Sequence, residues 1–268
     1  MPTRHRTVIG MIHVAALPGA PASAQPMDEI VATAVAEARL YAECGLNAIA
    51  IENMHDRPYL RGAVGPEVVA CMTAVGCAIR QAVSLKLGVQ ILAAANQGAL
   101  AVAQACGASF VRVENFVFAH IADEGFMPQA EAGPLLRYRR QIGASAVQIM
   151  ADIKKKHASH ALTADVDLAE TARAAEFFGA DGLIVTGTAT GRPVELDDLR
   201  QVRQAVQLPV WIGSGATPAG LPDLWEYADG FIVGSHFKRD GLWSNPIDRR
   251  RVEEFMAVAR RLQAERPT

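Results

Sequence analysis

Polar and charged residues recur at every second position inside short apolar runs. Residues 110–115 read Phe-Val-Arg-Val-Glu-Asn, so Val111 and Val113 share one face of an extended chain and Arg112 and Glu114 the other. Residues 148–154 set Ile149, Ala151 and Ile153 against Gln148, Asp152 and Lys154. Residues 48–53 set Ile49 and Ile51 against Glu52, and residues 87–92 set Val89 and Ile91 against Gln90. The first run groups Ile9, Met11 and His13, and residues 182–187 group Thr186 with Ile184. The polar set His13, Glu52, Gln90, Arg112, Glu114, Asp152, Lys154 and Thr186 is therefore expected to face one interior. Burying charges costs several kcal/mol each unless they are paired, so a purely structural core has little reason to collect them. The structural alternative is self-pairing, for example Arg112 with Glu52 or Asp152.

Carboxylates, a histidine and lysines at one site are the groups that proton transfer next to a carbonyl requires. Glu52, Glu114 or Asp152 serves as base, and His13 or Lys156 as electrophile. Lys154, Lys155, Lys156 and His157 follow one another. Continued alternation turns Lys154 and Lys156 inward and leaves Lys155 as a solvated lysine. A lysine there pairs with an anion or forms a Schiff base when its pKa is lowered. The neighbouring Asp152 is expected to keep it charged instead. Two further runs end in glycine: Gly213-Ser214-Gly215 before Ala216-Thr217-Pro218, and Gly234-Ser235. Glycines let backbone N–H groups approach an anion, so these ends are expected to bind a phosphate, with Thr186, Gly187 and Thr188 contributing. Lys238 and Arg239 are read as solvated. No cofactor is expected. A divalent ion held by Glu52, Glu114 and Asp152 with a substrate phosphate is the lesser reading.

The runs that must position these groups number eight, over residues 7–14, 48–53, 87–92, 110–115, 148–153, 182–187, 209–214 and 230–235. Helical patterns separate them, such as residues 30–44 with Ile30, Ala34, Ala38 and Tyr41 on one face. Residues 168–178 form another, and a last helix runs to about Leu262. Thr217-Pro218 and Asn245-Pro246 read as helix starts. The phrases CGLNAIAI, CGASFVRV and GADGLIV repeat a glycine that ends a helix shortly before the next strand. Eight strand–helix units in about 250 residues are the arithmetic of a (β/α)8 TIM barrel, one α/β domain over residues 1–268, whose active sites sit at the C-terminal ends of the strands. A doubly wound open sheet shows the same alternation. It usually carries a G-x-G-x-x-G turn after its first strand, and HVAALPG stands there instead.

Lysine plus arginine is 26 and aspartate plus glutamate 28, a net charge of −2. With no basic stripe, nucleic acid is not an expected partner. No run reaches the ~20 uncharged apolar residues of a membrane span. The four cysteines, Cys44, Cys71, Cys77 and Cys106, have no paired spacing and read as reduced core thiols of a cytoplasmic protein. The expected partner is a small phosphorylated substrate, and a homo-oligomer is compatible with this reading.

The stretches VIGMIHVAALPGAP, AIAIENMHDRPY, FVRVENFVFAHIADEGFM, ADIKKKHASHAL, LIVTGTATG, VWIGSGATP and FIVGSHFKRDG resemble the BtpA/SgcQ family, from about residue 7 to about residue 260. Asp152, Lys156 and His157 match its pattern, whereas Lys154 stands where members often carry another residue. The resemblance implies a TIM barrel of ribulose-phosphate-binding character. Cyanobacterial members are linked to photosystem I biogenesis or stability, and enteric members sit with sugar-transport genes. Two functions follow as expectations. One is a phosphosugar isomerase, epimerase or aldolase-type lyase. The other is a non-catalytic assembly or stability factor.

Overall fold

The computed structural model describes residues 6–187 and 194–265, so Thr188 lies outside the described residues. In chain order the strands are β1 (Thr7–His13), β2 (Ala48–Glu52), β3 (Lys86–Gln90), β4 (Phe110–Val113), β5 (His120–Ala122), β6 (Gly125–Met127), β7 (Gln148–Ile153), β8 (Ala158–Ser159), β9 (Gly182–Val185), β10 (Val210–Ile212) and β11 (Gly230–Val233). Eight of them close a parallel barrel in the order β1-β11-β10-β9-β7-β4-β3-β2. The helices are α1 (Met27–Glu43), α2 (Pro66–Ala82), α3 (Asn96–Cys106), α4 (Ala132–Gln141), α5 (Leu168–Phe177), α6 (Leu196–Ala205), α7 (Leu221–Leu224) and α8 (Arg249–Glu265). This is the TIM barrel expected from the spacing of the runs. The short strands β6-β5-β8 form a separate antiparallel sheet that the spacing did not reveal.

The alternation sorts the core into two layers. Ile49, Ile51, Val89, Val111 and Ile149 pack outward with the apolar faces of the helices. Ile9, Met11, Ala48, Ala50, Phe110, Met150, Ile184 and Ile232 fill the lumen, with Trp211 against them. Burying each large apolar side chain in either layer contributes about 1.5–3 kcal/mol. The lumen alternates small and large residues. A Cβ on Gly88 would stand 2.1 Å from the Phe110 ring, so the barrel closes there only around a glycine.

The repeated glycines before β2, β4 and β9 do end helices: Gly45, Gly107 and Gly179 hold φ of 80°, 70° and 86°. Two expected helix starts differ. Thr217 Oγ1 accepts from Gly220 N at 3.2 Å, which makes a turn before the four-residue α7 rather than capping it directly. Asn245 Nδ2 donates to Arg239 O instead of capping α8, and Asp248 takes the capping place by accepting from Arg250 N. The four cysteines are free thiols. Among the described residues no helix is long and apolar enough to cross a membrane.

Candidate active site

The register of β1, β2 and β3 carries three polar side chains into one row. His13 stands beside Glu52, and Glu52 beside Gln90. Each follows lumen residues on its own strand, Met11 on β1 and Ala50 on β2, so the row roofs the apolar lumen. Arg112 and Glu114 continue beyond Phe110, and Asp152 beyond Met150. Above this layer lies a cavity of about 290 Å³ at the C-terminal ends of the strands. His13, Glu52, Gln90, Arg112, Glu114, Asp152, Lys156 and His157 line it, as do Gly213, Ser214, Gly215, Gly234 and Ser235. Lys154, Thr186 and Gly187 are not part of this lining.

Two ion pairs build one wall. Arg112 donates to both Asp152 oxygens, from Nε at 3.0 Å and from Nη2 at 3.1 Å. Bidentate geometry of this kind is the strong form of the pair. Burial pulls the Arg112 pKa down, but Asp152 and Glu52 outweigh it and hold the guanidinium charged. Lys155 Nζ donates to Glu114 Oε1 at 3.0 Å, and Ala94 N donates to Glu114 Oε2 at 2.9 Å. Burial pushes the Glu114 carboxyl up, yet the Lys155 charge and hydrogen bond bring it below its ordinary value.

This corrects the reading of the lysine run. Lys154 takes φ 44° and His157 φ 56°, which ends the strand alternation just past Ile153. Lys155, expected in solvent, is turned into the site and is 8% exposed. Lys154, expected inside, points into a separate small cavity and donates to Thr163 O at 3.4 Å. Thr186 stays buried in the lumen, where its Oγ1 accepts from Lys156 N at 3.0 Å and positions that residue's backbone. Gly187 is buried beside it.

Four charged groups lining the cavity are left without side-chain hydrogen bonds among the described residues: Glu52, Lys156 and, on the turn between β5 and β6, Asp123 and Glu124. Glu52 is buried, with only His13 Nε2 at ion-pair range, 3.9 Å away. Burial pushes its carboxyl up, and Arg112 and Lys156 pull it back only in part. The Lys156 ammonium is the second. Burial, then the nearby Arg112, lower its pKa, and Glu52 and Asp152 raise it only in part. His13 Nδ1 meets Trp243 O at 2.9 Å, and burial followed by the Lys238 charge lowers its pKa to about 3. Lys238 itself, expected in solvent, is 2% exposed and donates to both Glu37 oxygens, at 3.0 and 3.2 Å. The turn from Ser235 to Phe237 aims it back at α1; Arg239 is exposed as read.

The glycine-rich ends of β10 and β11 converge on the same cavity, and Ser214 Oγ is buried there without a partner. Packing alone accounts for part of the glycine content. A Cβ on Gly213 would lie 2.5 Å from Ile184 Cγ2 and 3.2 Å from Arg112 Nη2. Gly215 holds φ 75°, which favours glycine. Glu52, Glu114 and Asp152 do not gather around one point: among the described residues no three His, Cys, Asp or Glu are grouped to hold a metal ion.

Several lining residues escaped the sequence reading. Asp123 and Glu124 enter on the turn between β5 and β6. The run HIADEGFM does carry a hairpin signal around its Asp-Glu-Gly. Tyr59, His236, Trp243 and Arg251 come from loops and the start of α8. Trp243 packs at the rim, its ring 4.9 Å from that of His55 and 4.7 Å from the Arg57 guanidinium.

Known proteins are similar to this chain to different depths. Thiamine phosphate pyrophosphorylase from Pyrococcus furiosus superposes with a TM-score of 0.58 at 15% identity, covering 97% of this chain and 98% of that one. Phosphoribosyl anthranilate isomerase from Thermus thermophilus gives 0.56 at 11%, covering 96% and 99%. Such identities establish the barrel alone. Sequence relatives run deeper. An uncharacterized mitochondrial protein of Caenorhabditis elegans is 44% identical over 254 residues, 93% of this chain and 91% of that protein. The photosystem I biogenesis protein BtpA of Synechocystis is 36% identical over 253 residues, 94% and 87% of the two chains. The sequence pattern of the BtpA family matches residues 4–261, and the chain is a member of that family.

Proposed function

We propose that the protein is an enzyme that moves a proton next to the carbonyl of a small phosphorylated sugar, as an isomerase or epimerase does. The observation that carries this reading is that Glu52 and Lys156 are left unbonded in the same cavity as the closed Arg112–Asp152 and Lys155–Glu114 pairs. Glu52 is a buried carboxylate with a raised pKa, the property of a carbon base that works near neutral pH. The Lys156 side chain lines the same cavity with no hydrogen-bond partner among the described residues, free to meet the oxygen on which charge develops. The converging loops at Gly213–Gly215 and Gly234-Ser235 are the place for the phosphate.

Two further readings have one observation each. The lowered pKa of Lys156 favours a nucleophilic amine, hence a Schiff-base lyase. The name of the Synechocystis relative favours an assembly or stability factor of photosystem I.

A thermal-shift screen against sugar phosphates separates these, because a ligand of the folded state raises the melting temperature. A stabilising sugar phosphate is expected to exchange one C–H with deuterated water and to leave no adduct after borohydride. Gly234→Asp is expected to abolish the shift by setting a negative charge in the phosphate loops. A borohydride-trapped adduct on Lys156 would make the protein a lyase. No stabilisation by any sugar phosphate would remove the enzyme reading.

A further inference from the structure

The first two strands present two hydrogen-bond acceptors to the same space. A carbonyl oxygen only accepts, so the 2.9 Å contact with Trp243 O puts the hydrogen of His13 on Nδ1. In a neutral ring that leaves Nε2 as a bare lone pair. The surrounding charges keep the ring neutral. Besides burial, Lys238, His55 and Lys156 all act against a second proton, and Lys238 is fixed in place by Glu37. Nε2 stands 3.9 Å from Glu52 Oε2, beyond hydrogen-bond length. With Glu52 ionised, neither atom has a hydrogen to offer the other. Gly234 keeps the approach to Nε2 open, since a Cβ there would come within 3.2 Å of it.

Two acceptors this far apart match two hydrogens on adjacent atoms, the C–H and the O–H of one carbon. We propose that His13 Nε2 accepts a hydrogen bond from a hydroxyl on the carbon that faces Glu52, so that the substrate is an α-hydroxy carbonyl phosphate and His13 selects for that hydroxyl. This rests on the reading of Glu52 as the carbon base. It also removes His13 from the electrophiles, because its single ring hydrogen is spent on Trp243 O. The carbonyl oxygen is left to Lys156. Selection follows from burial: a ligand without the hydroxyl leaves a desolvated lone pair unmet, which is the costly side of hydrogen bonding.

Two measurements on the full chain test this. Nitrogen-15 spectra of histidine-labelled protein read the tautomer directly. His13 is expected to show Nδ1–H and a bare Nε2 throughout pH 6–8; an Nε2–H tautomer or an imidazolium at neutral pH would overturn the proposal. The second uses dihydroxyacetone phosphate and hydroxyacetone phosphate, which differ only in the α-hydroxyl. The first is expected to bind about 10- to 100-fold tighter, the difference to vanish in His13→Phe and to return in part in His13→Gln, whose amide oxygen accepts. Equal affinities in the unmodified protein would overturn it. Preference for the hydroxylated probe without any C–H exchange would sink the proposed reaction and leave this role of His13 standing.

Discussion

The two walls of the cavity use charge in opposite ways. On the β4–β7 wall every charge is matched: Arg112 grips both Asp152 oxygens, and Glu114 is shared between Lys155 Nζ and Ala94 N. On the β1–β2 wall Glu52 makes no side-chain hydrogen bond among the described residues, His13 is held only through Nδ1 by Trp243 O, and the two side chains stand 3.9 Å apart. Both walls stand at the ends of barrel strands, and their carboxylates Glu52, Glu114 and Asp152 are similarly buried. The difference is therefore not one of location but of who supplies the partner. A paired buried charge is part of the scaffold, and an unpaired one waits for a ligand. Lys156 belongs with the second wall by this criterion, although it follows β7 in the chain.

The sharpest way to break the comparison is to unpair the scaffold. Asp152→Ala leaves Arg112 buried without its carboxylate, and loss of one partner of a buried pair costs about 3–5 kcal/mol. Urea unfolding should show that loss, while Arg112→Met with Asp152→Leu should cost much less. A loss below about 1 kcal/mol in the single variant would mean that the wall is no scaffold.

The ligand-facing wall should respond in the other currency, rate. Glu52→Gln removes the carbon base and should lower C–H exchange by about 10²- to 10⁴-fold with the fold intact. Retained exchange would move the base to another carboxylate. Lys156→Met should weaken binding of a stabilising sugar phosphate about tenfold, the scale of one hydrogen bond to a charged group. It should leave urea unfolding close to that of the parent, because Lys156 Nζ has no side-chain partner to abandon.

What the sequence reveals and what it hides divide along the same line. Lumen and helix faces are legible because strand alternation is strictly local: Glu52, Gln90, Arg112, Glu114 and Asp152 all stand where their apolar neighbours imply. The lysine run is illegible because one residue, Lys154 at φ 44°, ends the alternation, and nothing in its side chain announces that. Lys238 looks solvated because its partner Glu37 lies 201 residues away in sequence. Trp243 and Arg251 arrive from a loop and a helix start, which have no periodicity to read. The pairing that distinguishes the walls is likewise a tertiary fact. Alternation shows which charges face inward, and only the closed barrel shows which of them meet.

The smallest predicted effect follows from linkage at Glu52. Its folded pKa is raised above the unfolded value, chiefly by burial. Well below the unfolded value, about 4.3, both states carry the proton and Glu52 contributes no pH-dependent term. As pH climbs past that value the unfolded chain ionises freely while the folded one resists, so stability falls until the folded pKa is passed. Glutamine at position 52 has no such term. Glu52→Gln should therefore match the parent near pH 3 and melt a few degrees higher at pH 7–8, where about 1 kcal/mol corresponds to roughly 2–4 °C in a chain of this size. Arg112 loses one favourable neighbour in the variant, but its bidentate bond to Asp152 remains. Differential scanning calorimetry at the two pH values reads the sign. A variant that melts lower than the parent at pH 7–8 would place Glu52 among the scaffold charges and erase the distinction between the walls. A higher melting point together with lost exchange would mark a carboxylate kept at the expense of stability, the usual signature of a group retained for chemistry.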